Sequence, residues 1–350
     1  MFSHCHLKNK YWIKSKRTFL EDYSSSPKKK INMVLSGKYL GEYPNFNIDE
    51  KNLDCYPSNL IIPKFEEKLK KLLGYKGSLV LGGGVDGLLQ NLIKIFFTKK
   101  GNLVTPYLTF NQAEFAVTSM GAYTKRVFMN NNSLDLYNIL NSIDRKTRMV
   151  YICNPNNLTG EYVESKELAK IVNKINKKIA VVIDESGIEF AGESISNYGL
   201  NENIVILRSF SKCYGLAGAR IGYMLCSNEI LDLYKRNVSS NPVSTIACNI
   251  AEKMLENNLY KQNIDKIIEE RNKLSSALKL LGIETCISQS NVLFTKNSLP
   301  SNFIENLYKN EVSVLPCLDQ YNDLHIRIAV QDEKTNDAFI KKLKYIKQKE

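Results

Sequence analysis

A lysine with two hydroxyls and an arginine nearby offers the chain's clearest chemistry. In residues 204–223, IVILRSFSKCYGLAGARIGY, the apolar run Ile204, Val205, Ile206, Leu207 reads as a buried strand. It leads into Ser209-Phe210-Ser211-Lys212, and a loop with Gly215, Gly218 and Gly222 carries Arg220 back toward a second apolar strand. Hydroxyls and a guanidinium can hold a phosphate, the arginine bidentately. An amine whose pKa is lowered by desolvation or by a neighbouring cation can form a Schiff base with an aldehyde. A solvated lysine in a glycine-rich turn would read the same way locally, so the remaining strand ends decide.

Four further segments follow apolar runs with polar or aromatic residues. Gly82-Gly83-Gly84-Val85-Asp86 opens a helical pattern, where backbone N–H groups and the helix N-terminus can meet an anion; a tight turn is the plainer reading. Phe110 can stack on a flat ring or fill a core. Asn154-Pro155-Asn156-Asn157-Leu158-Thr159-Gly160 has the composition of a turn. Ile183-Asp184-Glu185 puts two acids after an apolar run, which is costly unless they are paired. A protonated pyridine nitrogen would be a suitable partner for one of them.

These segments need a frame that brings strand ends together. Strand-like runs at 78–81, 102–105, 125–129, 149–153, 180–183, 204–207 and 222–226 alternate with helical patterns at 86–97, 111–120, 134–143 and 165–176, after a first helix at 64–73. Alternation of this kind predicts an α/β fold with a seven-stranded, mostly parallel sheet covered by helices on both faces. Ligands of such sheets sit beyond the carboxyl ends of the strands. After Pro242 a long helical region, 244–281, precedes shorter strands at 291–295, 312–315 and 326–330 and a charged terminal helix. This predicts a smaller α+β domain. The expected division is an arm at 1–44, a large domain at 45–235 and a small C-terminal domain at 236–350.

Bulk properties exclude several classes. With 350 residues, 43% of them hydrophobic, the chain can build a sizeable core. The net charge of +12 comes from lysines spread along the chain beside many Asn and Ile, without a nucleic-acid module. Eight cysteines without CxxC or zinc spacing fit reduced thiols in a cytoplasm. No apolar run reaches transmembrane length. Three histidines argue against a triad hydrolase or a histidine-ligated metal; His4-Cys5-His6 in the basic arm reads as no metal site, and Ser24–Lys30 as a solvated stretch.

NPNNLTG, IDESGIEF and RSFSKCYGLAGARIGY, in that order, resemble fold-type I pyridoxal-phosphate aminotransferases. Within them the chain is similar to the histidinol-phosphate aminotransferase group, which includes related threonine-phosphate decarboxylases. GGGVDG, DCYPSN and HIRIAV extend the resemblance from Asp54 to the C-terminus. It implies pyridoxal 5'-phosphate as cofactor, with Lys212 as Schiff-base lysine and proton shuttle and Asp184 on the pyridinium nitrogen. Asn157 would bond the phenolic oxygen and Phe110 would stack on the ring. Ser209, Ser211, Arg220 and the N–H groups of Gly84, Val85 and Asp86 would hold the phosphate. Tyr56 would reach the phosphate of a neighbouring subunit, implying a homodimer with shared sites, and Arg327 would take a substrate carboxylate or phosphate.

The chain departs from the family pattern in four places, three bearing on specificity and Leu158 a minor backbone change. Ser186 and Gly187 stand where the family often has Ala-Tyr, which removes a hydrogen bond and opens space. Leu158 replaces a proline. The segment matched to Asn-Glu-Tyr-Pro reads Gly41-Glu42-Tyr43-Pro44. A second substrate-phosphate arginine, about twelve residues before Arg327, is absent: that place reads Val314-Leu315-Pro316. His325, next to the Arg327 strand, faces either substrate or, half-exposed, the solvent.

Three functions fit. The first is amino transfer between L-glutamate and a small, phosphorylated keto compound, such as imidazole-acetol phosphate or dihydroxyacetone phosphate. The second is decarboxylation of phosphothreonine or phosphoserine on the same cofactor. The third, a catalytically inactive cofactor-binding regulator, is disfavoured by the retained Lys212, Asp184, Asn157 and Arg220.

Overall fold

The computed structural model describes residues 12–14, 30–46, 54, 56–57, 60–300 and 302–348. The arm contributes β1 (Trp12–Lys14) and β2 (Ile31–Asn32), and α1 (Ile61–Leu72) follows. Strands β3 (Ser78–Gly82), β4 (Asn102–Pro106), β5 (Tyr123–Val127), β6 (Thr147–Cys153), β7 (Ala180–Asp184), β8 (Ile204–Ser209) and β9 (Gly222–Cys226) come next. Between them run α2 (Gly84–Phe96), α3 (Gln112–Ser119), α4 (Leu136–Ser142) and α5 (Ser165–Val172); α6 (Asn228–Asn237) follows β9.

The seven predicted strands form one sheet, ordered β5-β4-β6-β7-β8-β9-β3, with β1 added antiparallel at the β5 edge as an eighth. Among the seven, β9 alone runs antiparallel to its neighbours, β8 and β3. Alternation along each strand explains the two covered faces. Leu81, Val104, Ile152, Ile183 and Ile206 point into one core, while Val80, Leu103, Tyr151, Val182 and Val205 point into the other. Helix α2 seals the second face with Val85, Leu88, Leu89, Leu92 and Ile93, the i, i+3, i+4 stripe of an amphipathic helix.

The helical region expected at 244–281 is two helices, α7 (Thr245–Asn257) and α8 (Tyr260–Leu280). Asn258, in a left-handed conformation at φ 52°, ends the first. The buried side chains of α7 join the core of the large sheet. Along α8 the packing changes hands: Ile267 belongs to that core, Leu274 and Leu278 to a third cluster. That cluster is built with β10 (Val292–Phe294), α9 (Phe303–Lys309), β11 (Val312–Ser313), β13 (Leu324–Ala329) and α10 (Glu333–Lys347), while β12 (Leu315–Leu318) packs Leu315 and Cys317 with Tyr107, Leu108, Met129 and Phe294 in a fourth. Strands β10, β13 and β12 form an antiparallel sheet, and β11 pairs in parallel with β2 of the arm. Ile31 and Met33 are buried in the same cluster, so this part of the arm is docked; of the stretch expected to be solvated, residues 24–29 lie outside the described residues and Lys30 is exposed. No helix among the described residues is long and apolar enough to cross a membrane.

Candidate active site

Sheet register lines up the chemistry. Asp184, the last residue of β7, stands beside Cys153 at the end of β6 and Leu207 of β8; Ser209, the last residue of β8, faces Gly222 of β9. A cavity of about 680 Å³ opens beyond these carboxyl ends. Its walls include Val85, Asp86, Phe110, Asn157, Asp184, Ser209, Ser211, Lys212 and Arg220. Nearly every residue picked out for the cofactor therefore meets in one place. The exceptions are Gly84, which lies just behind Arg220, and Tyr56, which is 81% exposed and does not line this cavity.

One end is built for an anion. Helix α2 begins at Gly84 with no side-chain cap, so its first N–H groups remain for a ligand. Gly84 has φ +73°, and a Cβ there would lie 2.8 Å from Arg220 Nη2; only glycine lets the guanidinium come this close. Arg220 itself holds a left-handed conformation, φ 51°, with Nη1 donating to the Ala217 carbonyl at 3.2 Å and Nη2 lying 3.2 Å from Asp86 Oδ2. The Ser209 and Ser211 hydroxyls complete this end.

The other end suits a flat cationic ring. Asp184 is buried; its Oδ2 accepts from the Tyr151 hydroxyl at 2.7 Å and its Oδ1 from the Ser186 N–H at 2.9 Å. Tyr151 went unnoticed in the sequence, although a tyrosine inside the aliphatic run Met149–Cys153 was the available signal. Lys212 stands between the two ends, half-buried. Burial lowers its pKa below the ordinary lysine value, while Asp184 pulls it upward.

The Asn154–Gly160 loop is held by Asn156. Its Nδ2 donates to the Leu108 carbonyl at 2.8 Å and its Oδ1 accepts from the N–H groups of Leu158 (2.8 Å) and Thr159 (3.2 Å). Leu158 thus supplies a donor that a proline lacks. A Cβ on Gly187 would lie 3.6 Å from Lys212 Nζ, Pro155 Cγ and Ser290 Oγ, so the missing tyrosine leaves room against the lysine.

Arg327 is buried but does not line the cavity directly. Its Nε donates to the Asn157 carbonyl at 3.0 Å and its Nη1 to the Val34 carbonyl at 2.9 Å. Burial brings its pKa down to about 10, and it has no carboxylate partner among the described residues. Leu315 stands directly opposite it on β12, where the family's second arginine was expected. His325 is buried, against the half-exposed expectation. Its Nδ1 lies 2.9 Å from the Thr295 carbonyl and its ring stacks on Phe294 at 5.2 Å, away from the cavity.

The arm enters earlier than its sequence match suggested. Asn32, Leu35, Ser36, Gly37 and Lys38 line the cavity, together with Gln331. The segment 41–44 lies outside the lining, where the Tyr43 hydroxyl donates to the Gly215 carbonyl at 2.8 Å. These arm residues carry no motif and were missed as site residues. No group of metal-ligating side chains exists among the described residues, and His4-Cys5-His6 lies outside them.

The donor set fits pyridoxal 5'-phosphate: an uncapped helix start with hydroxyls and a guanidinium for phosphate, a buried acid and an aromatic side chain for a pyridinium ring, and an amine for the aldehyde. Comparison with known proteins agrees. Residues 41–343 match the family model "Aminotransferase class I and II". Histidinol-phosphate aminotransferase 1 of Archaeoglobus fulgidus is 33% identical over 304 residues, covering 84% of this chain and 91% of its own. The fold matches histidinol-phosphate aminotransferase from Sinorhizobium meliloti, solved with pyridoxal-5'-phosphate, at TM-score 0.80 and 20% identity over 92% of this chain and 91% of that one. L-threonine-O-3-phosphate decarboxylase from Porphyromonas gingivalis shares the fold at TM-score 0.73 and 18% identity over 91% and 99% of the two chains. Motifs, cavity and family match converge: the chain belongs to the class I and II aminotransferases and is a pyridoxal 5'-phosphate-dependent enzyme similar to histidinol-phosphate aminotransferases.

Proposed function

We propose that the enzyme moves an amino group between L-glutamate and a small, phosphorylated keto compound such as imidazole-acetol phosphate or dihydroxyacetone phosphate. The observation that carries this reading is Arg327, a buried guanidinium with no acidic partner among the described residues, bonded to the loop that holds Asn157. Such a cation is costly unless an anion arrives to pair with it. In this reading it takes the substrate carboxylate in one half-reaction and the anion of the acceptor in the other.

The bound cofactor supplies an electron sink for breaking a bond at the substrate Cα. Lys212 would hold the cofactor's aldehyde, and once a substrate amine has displaced it the freed Nζ would carry the proton from and back to Cα. Its lowered pKa leaves more of the amine neutral and able to do so. Asp184, oriented by Tyr151 and Ser186, would pair with the ring nitrogen. Asn157 would bond the phenolic oxygen, Phe110 would cover the ring, and Ser209, Ser211, Arg220 and the N–H groups of Gly84, Val85 and Asp86 would hold the phosphate. Exposed Tyr56 and Leu60 support a homodimer in which Tyr56 completes the neighbouring phosphate site. Six cysteines without disulfides among the described residues support a cytoplasmic enzyme.

The test is a screen of acceptors with L-glutamate as donor, read as 2-oxoglutarate formed. A phosphorylated ketone should outpace its unphosphorylated counterpart at least tenfold in kcat/KM. Equal use of both would remove the phosphate from the reading. Carbon dioxide release from phosphothreonine or phosphoserine, without 2-oxoglutarate, would replace transfer by decarboxylation.

A further inference from the structure

Among the residues lining the cavity the cations are Lys38, Lys212 and Arg220. The reading above uses the last two and leaves Lys38 without a task. A dianionic substrate needs a second cation beside Arg327, and β12 offers only Leu315 at the position across from it. Lys38 comes from the arm and reaches the cavity from a fixed base. On one side the Leu35 carbonyl accepts from Gln331 Nε2 at 2.8 Å and the Ser36 carbonyl from Asn291 Nδ2 at 2.5 Å; on the other the Leu40 N–H donates to Asn263 Oδ1 at 2.7 Å.

Lys38 Nζ lies 2.9 Å from Asp332 Oδ2, with the two side chains 46% and 36% exposed. Asp332 has its own structural duty: its Oδ1 caps α10, accepting from the Thr335 N–H at 2.9 Å and the Thr335 hydroxyl at 2.8 Å. The acid is therefore set by its helix, and the lysine is the movable partner on a flexible four-carbon stem. An exposed pair of this kind is weak, so an incoming anion can draw the ammonium away at little cost.

We propose that Lys38 is the specificity-determining cation for the distal anionic group of the substrate, a carboxylate or a phosphate, with Arg327 taking the other anion. The proposal rests on the transaminase reading for its substrates, but its test separates the two. Calorimetry on the cofactor-loaded protein compares glutarate with pentanoate, five-carbon acids that differ by one carboxylate, and with 3-phosphonopropionate. Wild-type protein should prefer the dianions. Lys38→Met should shrink that preference about tenfold, whereas Asp332→Asn, which keeps a capping oxygen, should preserve or enlarge it. The dianion with the larger Lys38-dependent loss identifies the distal group. The ratio of kcat/KM for L-glutamate over L-norvaline should follow the same order.

Equal binding of dianions and pentanoate by wild-type protein would overturn the assignment. So would equal losses for all acids in both variants, the mark of a clasp between arm and α10. If no amino donor alters the cofactor's absorbance while the Lys38-dependent preference persists, the transaminase reading falls and Lys38 keeps its role.

Discussion

Burial and Asp184 pull the Lys212 amine in opposite directions, and burial prevails. A lowered pKa means the reactive neutral amine appears at lower pH than in an exposed lysine, whose ordinary value is about 10.4. Covalent uptake of pyridoxal 5'-phosphate by the apoprotein, trapped with borohydride, should therefore rise with pH through a midpoint below that value. Asp184→Asn removes the neighbour that raises the pKa, so the midpoint should fall further. A midpoint at or above the ordinary value would show that the amine is not desolvated. At this scale the sequence was informative wherever a residue type is chemically unusual for its surroundings. Asp184 after an aliphatic strand and Lys212 among hydroxyls could be read directly. Lys38 could not, because one lysine among many in a basic chain carries no signal until its position is known.

Strand ends stay aligned because β7 and β8 are bolted together beneath the site. Glu185, fully buried, accepts from the Ile195 N–H at 2.7 Å and the Ser194 hydroxyl at 2.6 Å, and its Oε2 lies 3.2 Å from Arg208 Nη1. Arg208 Nη2 reaches Glu189 at 3.0 Å, and the guanidinium lies over the Tyr223 ring of β9 at 5.9 Å. Removing the cation leaves two buried acids without their partner. Arg208→Met should destabilise the protein by about 3–5 kcal/mol in urea unfolding. A loss below about 1 kcal/mol would mean that the acids neutralise themselves at little cost. Most of strands β3 to β9 were legible as short apolar runs between breakers; β5, Tyr-Thr-Lys-Arg-Val at 123–127, begins two residues before the expected 125–129 because its polar residues mask the start. The second acid of Ile183-Asp184-Glu185 was legible as a problem needing a partner, but that Arg208 of the next strand supplies it depends on strand pairing, which no local pattern reveals. Residues 312–315 were read as one strand, yet Val314 separates β11, which pairs with the arm, from β12, which pairs with β13. That split depends on partners distant in the chain.

Across the whole molecule the arm ties the parts of the site together. Ile31 and Met33 sit in the C-terminal cluster, the Ala329 N–H donates to the Met33 carbonyl at 2.7 Å, and residues 35–38 wall the cavity. This docking was the least legible feature: it uses backbone carbonyls and two buried apolar side chains, and such contacts leave no periodic pattern. The alternation of strands and helices, by contrast, dictated the sheet, and the sheet dictated where a ligand would lie. Amino transfer in this cavity is tested most directly by the absorbance of the pyridoxal 5'-phosphate-loaded protein during titration with L-glutamate. The lysine-bound cofactor band should give way to that of pyridoxamine 5'-phosphate, with one equivalent of 2-oxoglutarate released, and Lys212→Ala should abolish the conversion. A cofactor band that saturating glutamate leaves unchanged would contradict amino transfer.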